Sequence, residues 1–142
     1  MGLMSPTITV LKEFFDSNEI PAYLVGGYLR DSLLDLSSND LDVVVKGHGI
    51  LLGQQLANRM QGSLVTLDQD RKIARVVMPE GGGHVDISSI YGTIEEDLSR
   101  RDFTVDAMAL NISDIGFPFP YDAILDPYGG RRDLSLGRIR MI

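Results

Sequence analysis

Large apolar residues near the N-terminus recur at helical spacing. Ser5 followed by Pro6 is typical of a helix start, and Asn18 and Pro21 are expected to end the same helix. Between these limits the apolar side chains fall three or four positions apart, which places them on one helix face. That face consists of Ile8, Leu11, Phe14 and Phe15. The pattern therefore predicts an amphipathic first helix.

Short apolar and β-branched runs then alternate with helical segments, until loop-like sequence begins at Pro118. The predicted strands are 22–25, 41–46, 63–67, 72–78 and 84–87. The predicted helices are 28–36, 50–60, 93–100 and 103–110, and Thr93 is the expected cap of the third. We therefore expect an α+β domain, with a mixed sheet of about five strands and helices packed on it.

Length and composition limit the chain to one compact domain over residues 1–142. Hydrophobic residues make up 44% of its 142 residues, so a sizeable core can be buried in a single unit. No apolar run reaches the length needed to span a membrane, and the N-terminus lacks the basic and then apolar order of a signal peptide. We expect a cytoplasmic protein with no membrane partner.

Charge and potential metal ligands narrow the classes of function. The sequence has no cysteine and only two histidines, His48 and His84, neither with a partner at the spacing of a metal site. Any metal is therefore expected to be a hard cation held by oxygen ligands. The formal net charge is −7, whereas a domain that grips RNA unaided has a basic face. An RNA substrate would need further sequence or a partner for its binding.

Two glycines separate the first predicted strand from the helix after it, in the sequence VGGYLRD at 25–31. Gly26 and Gly27 let the backbone approach a phosphate closely, and the start of a helix directs N–H groups and positive dipole toward an anion. Glycine pairs are also common in plain tight turns. Both interpretations stay open on this motif alone.

Three carboxylates on predicted strands suit metal ions. Asp40 and Asp42 begin a strand, and because strand side chains alternate they face the same side. Two such carboxylates can share two metal ions about 3.5–4 Å apart, as in nucleotidyl transfer, although a DxD at a strand end is often only solvated. Asp86 lies between apolar neighbours on a later strand, where burial requires a partner or a metal. A second DxD, 68–70, falls in a predicted hairpin turn, and we interpret it as solvated.

An acidic helix runs into two arginines in the sequence EEDLSRRDFTVDAMAL at 95–110. Arg100 and Arg101 have the forked donors that pair with triphosphate oxygens. Five acids lie in the same segment, so a salt-bridged helix end is the competing interpretation.

Five blocks of the sequence resemble, in the same order, the head domain of the class II family of bacterial tRNA nucleotidyltransferases (CCA-adding enzymes) and poly(A) polymerases. The blocks are LVGGYLRD, NDLDVVVKG, VDIS, EEDLSRRDFTVDAMAL and LDPYGGRRDL. The resemblance covers about 22–140. It implies a polymerase β-like nucleotidyltransferase fold and a template-independent enzyme that adds CMP or AMP, from CTP or ATP, to an RNA 3′ end, with tRNA as the expected RNA.

The resemblance also implies roles for individual residues. The carboxylates that match its catalytic metal ligands, for two Mg²⁺ ions, are Asp40, Asp42 and Asp86. The residues that match its triphosphate motif are Gly26, Gly27 and Arg30, with Asp31 expected to hold that loop in shape. The residues that match its sugar and phosphate motif are Arg100, Arg101 and Asp102.

Three departures from that family qualify the expectation. The chain stops at Ile142, before the family's helical neck, body and tail, so base selection and most RNA binding are expected to need those absent parts. Asp106 stands where Asn is common, and a carboxylate that faces a triphosphate would repel it unless it points elsewhere. The segment after Asp86 is shorter than the flexible loop of many relatives.

Several functions therefore stay open. The leading one is an RNA nucleotidyltransferase, whether it adds CCA, adds only A or makes poly(A). A nucleotide-binding module without turnover is the second. A transferase that modifies a protein or a small molecule is the third, and the RRDFT block argues against it because that block belongs to the RNA-directed branch.

Overall fold

The computed structural model describes residues 6–36, 38–116 and 120–142 and contains six strands and five α-helices in those ranges. In chain order they are α1 (Pro6–Ser17), β1 (Ala22–Val25), α2 (Gly26–Leu33), β2 (Asp40–Val45), α3 (Gly49–Met60), β3 (Ser63–Asp68), β4 (Ile73–Val77), β5 (His84–Ser89), α4 (Ile94–Ser99), β6 (Ala109–Asn111) and α5 (Gly130–Ser135). Ser5 and Pro118, which the sequence placed at a helix start and a loop start, lie outside the described residues. None of the described helices is long and apolar enough to cross a bilayer.

The six strands form one mixed sheet in the order β3-β4-β5-β2-β1-β6. Strands β2 and β5 are parallel, and the other neighbouring pairs are antiparallel. The predicted α+β class and mixed sheet are confirmed, with one strand more than the expected five. The parallel pair occupies the middle of the sheet, so each of its two strands has a hydrogen-bonded neighbour on both sides.

The two faces of the sheet carry different cores. On β2, Leu41, Val43 and Val45 face the larger cluster, which also includes the apolar face of α1. Val44 faces the opposite side, in a smaller cluster to which α4 contributes Ile94. Because β2 side chains alternate, Asp42 lies on the face of the smaller cluster.

The predicted helix over 103–110 is wrong. Only Thr104–Asp106 is helical, as a single 3-10 turn, and Ala109–Asn111 forms the edge strand β6. Strand β6 pairs with β1, and Ala109 also exchanges two backbone hydrogen bonds with Leu125, at 3.0 and 2.8 Å. These pairings come from distant parts of the chain, so tertiary context overrides the local helical period.

The start of α4 agrees closely with its sequence signals. The Thr93 side chain accepts a hydrogen bond from the Glu96 N–H at 3.2 Å, and the Glu96 carboxylate accepts one from the Thr93 N–H at 3.3 Å. This reciprocal arrangement is a capping box. It fixes where α4 begins, and therefore where Arg100 and Arg101 lie at its other end.

Helix α5, which the sequence did not predict, brings a buried carboxylate to the segment that follows α4. Asp133 has no exposed surface. It accepts hydrogen bonds from the Thr104 hydroxyl, from Arg138 Nη2 at 2.9 Å and from Arg140 Nε at 3.0 Å. The Thr104 bond, together with both arginines, lowers the pKa of Asp133 to about 2 against the opposing effect of burial. Asp133 therefore joins α5 and the C-terminal segment to the chain beyond α4.

We expect Asp133→Asn to lower the melting temperature at pH 7 and to change how it depends on pH. Because the pKa is lower in the folded than in the unfolded chain, the carboxylate stabilises the fold above its ordinary pKa of about 3.9. That stabilisation is lost as the pH falls towards 2. The gap in melting temperature between wild type and variant should therefore shrink between about pH 4 and pH 2.

Thermal unfolding at a series of pH values measures this gap, with Asp114→Asn as the control for loss of an exposed acid. A gap between wild type and Asp133→Asn that stays constant from pH 7 to pH 2 would contradict the assigned role.

Candidate functional site

Three charged side chains lie in one row across the middle of the sheet. Asp42 on β2 is in register with Asp86 on β5, and Asp86 is in register with Arg75 on β4. Residues directly opposite each other on neighbouring strands point to the same face. The alternation on β2, β4 and β5 directs the apolar neighbours of these residues into the larger cluster, so the charged row lies on the opposite face.

Asp42 is partly buried, and none of the ion pairs among the described residues includes it. Burial raises the pKa of this carboxyl, and the negative charge of Asp86 raises it further, while more distant cations, Arg101 first among them, act in the other direction. Gly26 packs against the same side chain: with φ of +72°, a Cβ at this position would lie 2.9 Å from Asp42 Oδ2. The left-handed backbone at Gly26 favours glycine, and a side chain there would also have to push the Asp42 carboxylate aside.

Asp86 is paired with a cation that the sequence did not single out. Arg75 Nε donates to Asp86 Oδ1 at 2.8 Å, and Arg75 Nη2 donates to Asp86 Oδ2 at 3.0 Å. This two-bond geometry is the strong form of an arginine–carboxylate pair. These bonds raise the pKa of the Arg75 guanidinium.

Asp40 is the most exposed of the three predicted metal ligands and contacts His84. His84 Nδ1 lies 3.1 Å from Asp40 Oδ1, and its Nε2 lies 3.9 Å from Asp86 Oδ2, so the imidazole lies between two of the carboxylates. Within 6–36, 38–116 and 120–142, no three Asp, Glu or His side chains are grouped so that they could hold one metal ion. The predicted three-carboxylate site thus shares one face of the sheet but is not assembled.

The donor set nevertheless fits a divalent cation. Asp42 and Asp86 are hard oxygen ligands in register on adjacent strands, which is the ligand chemistry of Mg²⁺. Each carboxylate raises the free energy of the other when both are ionised, and this repulsion adds to burial in raising the pKa of Asp42. A bound cation would relieve it.

A cavity of about 700 Å³ opens beside this row. Four of the nine residues predicted for the site line it, namely Asp42, Asp86, Arg100 and Arg101. The β3–β4 turn also contributes Asp70, Arg71 and Lys72 to the lining. Of the second DxD, Asp68 ends β3 and Asp70 lies in the hairpin turn, as expected, but Asp70 also lines the cavity.

The two arginines at the end of α4 are held in different ways. Arg101 Nη2 donates to Asp97 Oδ1 at 3.2 Å, one helical turn earlier. The other oxygen of the buried Asp97 accepts the Tyr91 N–H at 2.9 Å. The Arg100 guanidinium lies 3.9 Å from the centroid of the Tyr91 ring, a cation–π contact. Asp97 therefore positions Arg101 directly. It also holds the backbone of Tyr91, whose ring contacts Arg100.

The remaining predicted residues lie outside the cavity lining. Arg30 Nη1 donates to Asp106 Oδ1 at 2.9 Å, and its Nε donates to Asp31 at 3.3 Å. The Asp106 carboxylate therefore forms an ion pair with Arg30, which is the arginine expected to bind triphosphate. Gly27 follows Gly26 at the start of α2, and Asp102 is exposed beyond the end of α4.

Sequence reasoning missed Arg75, Asp97, Tyr91 and the bridging position of His84. Asp97 carried a usable signal, because an acid four residues before an arginine on a helix can pair with it. Arg75 also interrupts the apolar strand IARVV, which marks it as facing away from the core. Its pairing with Asp86 depends on the β4–β5 register, which local sequence does not reveal.

Comparison with known proteins gives consistent matches. The sequence matches the family described as the poly A polymerase head domain, over residues 22–91 and 79–140. It is 42% identical over 120 residues to the CC-adding tRNA nucleotidyltransferase of Geobacter sulfurreducens. The aligned region covers 84% of this chain and 26% of that protein. It is 34% identical over 158 residues to the A-adding tRNA nucleotidyltransferase of the same organism. This aligned region covers 99% of this chain and 17% of that protein.

A solved structure agrees with these relatives. The Thermotoga maritima CCA-adding enzyme, complexed with tRNA, superposes with a TM-score of 0.79 at 35% identity, over 97% of this chain and 33% of that one. The chain thus spans about a third or less of the length of each of these three proteins, and it corresponds to their nucleotidyltransferase fold. With the family match extending over 22–140, the chain belongs to the family of the poly A polymerase head domain.

Proposed function

We propose that this chain is the catalytic head of a template-independent nucleotidyltransferase that adds C or A residues to the 3′ end of tRNA. The observation that carries the proposal is the register of Asp42 with Asp86 beside a cavity that Arg100 and Arg101 also line. Carboxylates for a divalent cation and guanidinium groups for phosphates therefore share one space. Similarity to CC-adding and A-adding enzymes supports CTP and ATP as the nucleotide donors.

Asp40, Asp42 and Asp86 are the residues that would hold two Mg²⁺ ions. Bound there, the ions would supply positive charge that makes an RNA 3′ hydroxyl easier to deprotonate and stabilises the phosphate charges. Asp40 would have to leave His84, and Asp86 would have to share an oxygen now bonded to Arg75.

The reaction supported by this arrangement is an in-line displacement. The 3′ hydroxyl gives up its proton to water, its oxygen bonds to the α-phosphorus, and pyrophosphate leaves with the electron pair of the broken P–O bond. Arg101, oriented by Asp97, would pair with phosphate oxygens of the nucleotide, and Arg100 would add a second guanidinium at the same cavity wall. These residues position the reactants and balance charge, which is most of what the transfer requires.

Recognition of RNA is expected to rest largely on other parts of a longer protein. The chain carries a net charge of −7 and corresponds to 26% of its CC-adding relative. RNA binding depends on neutralising phosphates with lysine and arginine. The head would therefore carry out catalysis, and neck, body and tail domains would provide most of the RNA binding and the selection of the base.

An incorporation assay tests the proposal directly. The protein is incubated with tRNA that lacks its 3′-terminal residues, with Mg²⁺ and with labelled CTP or ATP in separate reactions. Incorporation of C, of one A or of an A run would support the proposal and distinguish CC-addition, A-addition and poly(A) synthesis. Metal-dependent ATP binding without incorporation would instead support a nucleotide-binding module.

Asp42→Asn should separate function from stability. We expect incorporation to fall by at least about 100-fold, because a direct metal ligand should matter more than the outer-shell partners whose loss costs 10–100-fold. At pH 7 the variant should also melt higher than wild type in EDTA. The folded-state pKa of Asp42 is raised, so its ionised form is disfavoured in the fold at pH values above that pKa.

The matched control for this prediction is Asp68→Asn, from the other DxD. Its Asn oxygen can still accept the Arg71 N–H that Asp68 accepts at 3.0 Å, so activity and melting temperature should stay near wild type. An active Asp42→Asn protein would refute the metal assignment.

Asp97→Asn should impair nucleotide binding with little loss of fold. The amide oxygen can still accept the Tyr91 N–H, but the charge that orients Arg101 is gone. We expect KM for the nucleotide to rise roughly 10-fold, because a misplaced guanidinium loses charge-assisted contacts with phosphate. Steady-state kinetics measure this effect, with Glu95→Gln as the control for loss of an exposed acid on the same helix. Equal KM values for wild type and Asp97→Asn would contradict the role of Asp97.

A further inference from the structure

Arg75 uses both oxygens of Asp86, and it does so from the strand on the far side of Asp86 from Asp42. The two hydrogen bonds are 2.8 and 3.0 Å long. The pair sits within the sheet, where strand register holds the two backbones side by side. The order across the sheet is therefore cation, carboxylate, carboxylate, in the sequence Arg75, Asp86, Asp42.

The positive charge of Arg75 acts on both carboxylates. It neutralises Asp86 by direct contact and stabilises the ionised form of Asp42 at longer range. In the protein without a bound cation, Arg75 thus offsets the repulsion between two acids in register. A divalent cation placed between Asp42 and Asp86 would perform the same electrostatic task.

Pairing of Asp86 with Arg75 and binding of a divalent cation by Asp86 are partly incompatible. A cation that binds Asp86 needs a lone pair on an oxygen that now accepts from Arg75, and it would be repelled by a guanidinium in contact with the same carboxylate. The Arg75 side chain is 37% exposed, and its long stem allows the guanidinium to turn towards water. Displacement of Arg75 from Asp86 is therefore sterically open.

We propose that Arg75 is a positioning residue that occupies Asp86 until a divalent cation displaces it. The proposal rests on the proposed function in taking Asp86 as a cation ligand. It makes Arg75 an internal substitute for the cation: it keeps the acid pair stable when no cation is present and weakens cation binding by competition. No outside reactant is required, because only a hydrogen-bonded ion pair is exchanged for a metal ligand bond.

The test is the affinity for Mn²⁺, followed by electron paramagnetic resonance of the free ion with no nucleotide and no RNA present. Arg75→Met keeps a long apolar stem but removes the competing charge, and it should bind Mn²⁺ roughly 10-fold more tightly than wild type, within the usual range of coupling between sites. Arg75→Lys keeps the charge without the two-bond geometry and should lie between the two. Arg59→Met is the matched control, since Arg59 pairs with Glu13 on the surface at 3.3 Å, and its Mn²⁺ affinity should equal that of wild type.

A double-mutant cycle identifies the group through which Arg75 acts. If the competition is for Asp86, the effect of Arg75→Met should vanish in an Asp86→Asn background. Weaker or unchanged Mn²⁺ binding by Arg75→Met, or a full effect that persists with Asp86→Asn, would overturn the proposal. Asp42→Asn should weaken Mn²⁺ binding whatever Arg75 does, so unchanged binding by that variant would overturn the proposed metal site itself.

A second measurement uses wild type and so does not depend on a variant folding. The side-chain Nε–H of Arg75, assigned by its loss in Arg75→Lys, should give a protected NMR signal in EDTA because it is bonded to Asp86. Saturating Mg²⁺ should shift that signal or broaden it through exchange with water. An Arg75 signal that Mg²⁺ leaves in place, although Mg²⁺ shifts signals of Asp42, would refute displacement while leaving the proposed function intact.

Discussion

Two like charges held in register on adjacent parallel strands are the constraint around which the site is arranged. Asp42 and Asp86 face the same side of the sheet at its centre, where the backbone cannot separate them without breaking the β2–β5 ladder. Such an arrangement costs free energy, and the pKa of Asp42 is raised first by burial and then by the charge of Asp86. The surrounding residues are best understood by what they do to this pair: Arg75 compensates one acid, and Gly26 leaves room for the other.

The same constraint explains why elements distant in sequence converge here. The parallel pairing of β2 with β5 requires a crossover, and the chain between them supplies α3 and the β3–β4 hairpin. The hairpin returns beside β5, which brings Arg75 next to Asp86. Helix α4 then follows β5 and covers the same face, so the arginines at its end reach the cavity beside the acids. The crossover between β2 and β5 therefore brings together the two carboxylates, Arg75 and the arginines at the end of α4.

Local sequence was sufficient for the elements whose signals are local. Strand β1 has the predicted bounds of 22–25, and the capping box at Thr93 sets the start of α4 as expected. The signal failed over 103–110, because Ala109 is held in a strand by partners on β1 and at Leu125. Local sequence also failed to predict which side chains pair within the candidate site. Asp42 and Asp86 were identifiable as acids on strands, whereas the pairing of Asp86 with Arg75 follows from the register between β4 and β5.

Asp133 and Asp42 differ in how far the surrounding fold compensates their negative charge. Asp133 is fully buried, yet Thr104, Arg138 and Arg140 surround it with donors, and its pKa falls to about 2. Asp42 is less buried, yet its pKa moves in the opposite direction, because burial and Asp86 outweigh the cations around it. A carboxylate that serves only the fold gains nothing from such an environment. Asp42 is under-compensated beside a cavity, and the cation of the proposed function would supply the opposing positive charge there.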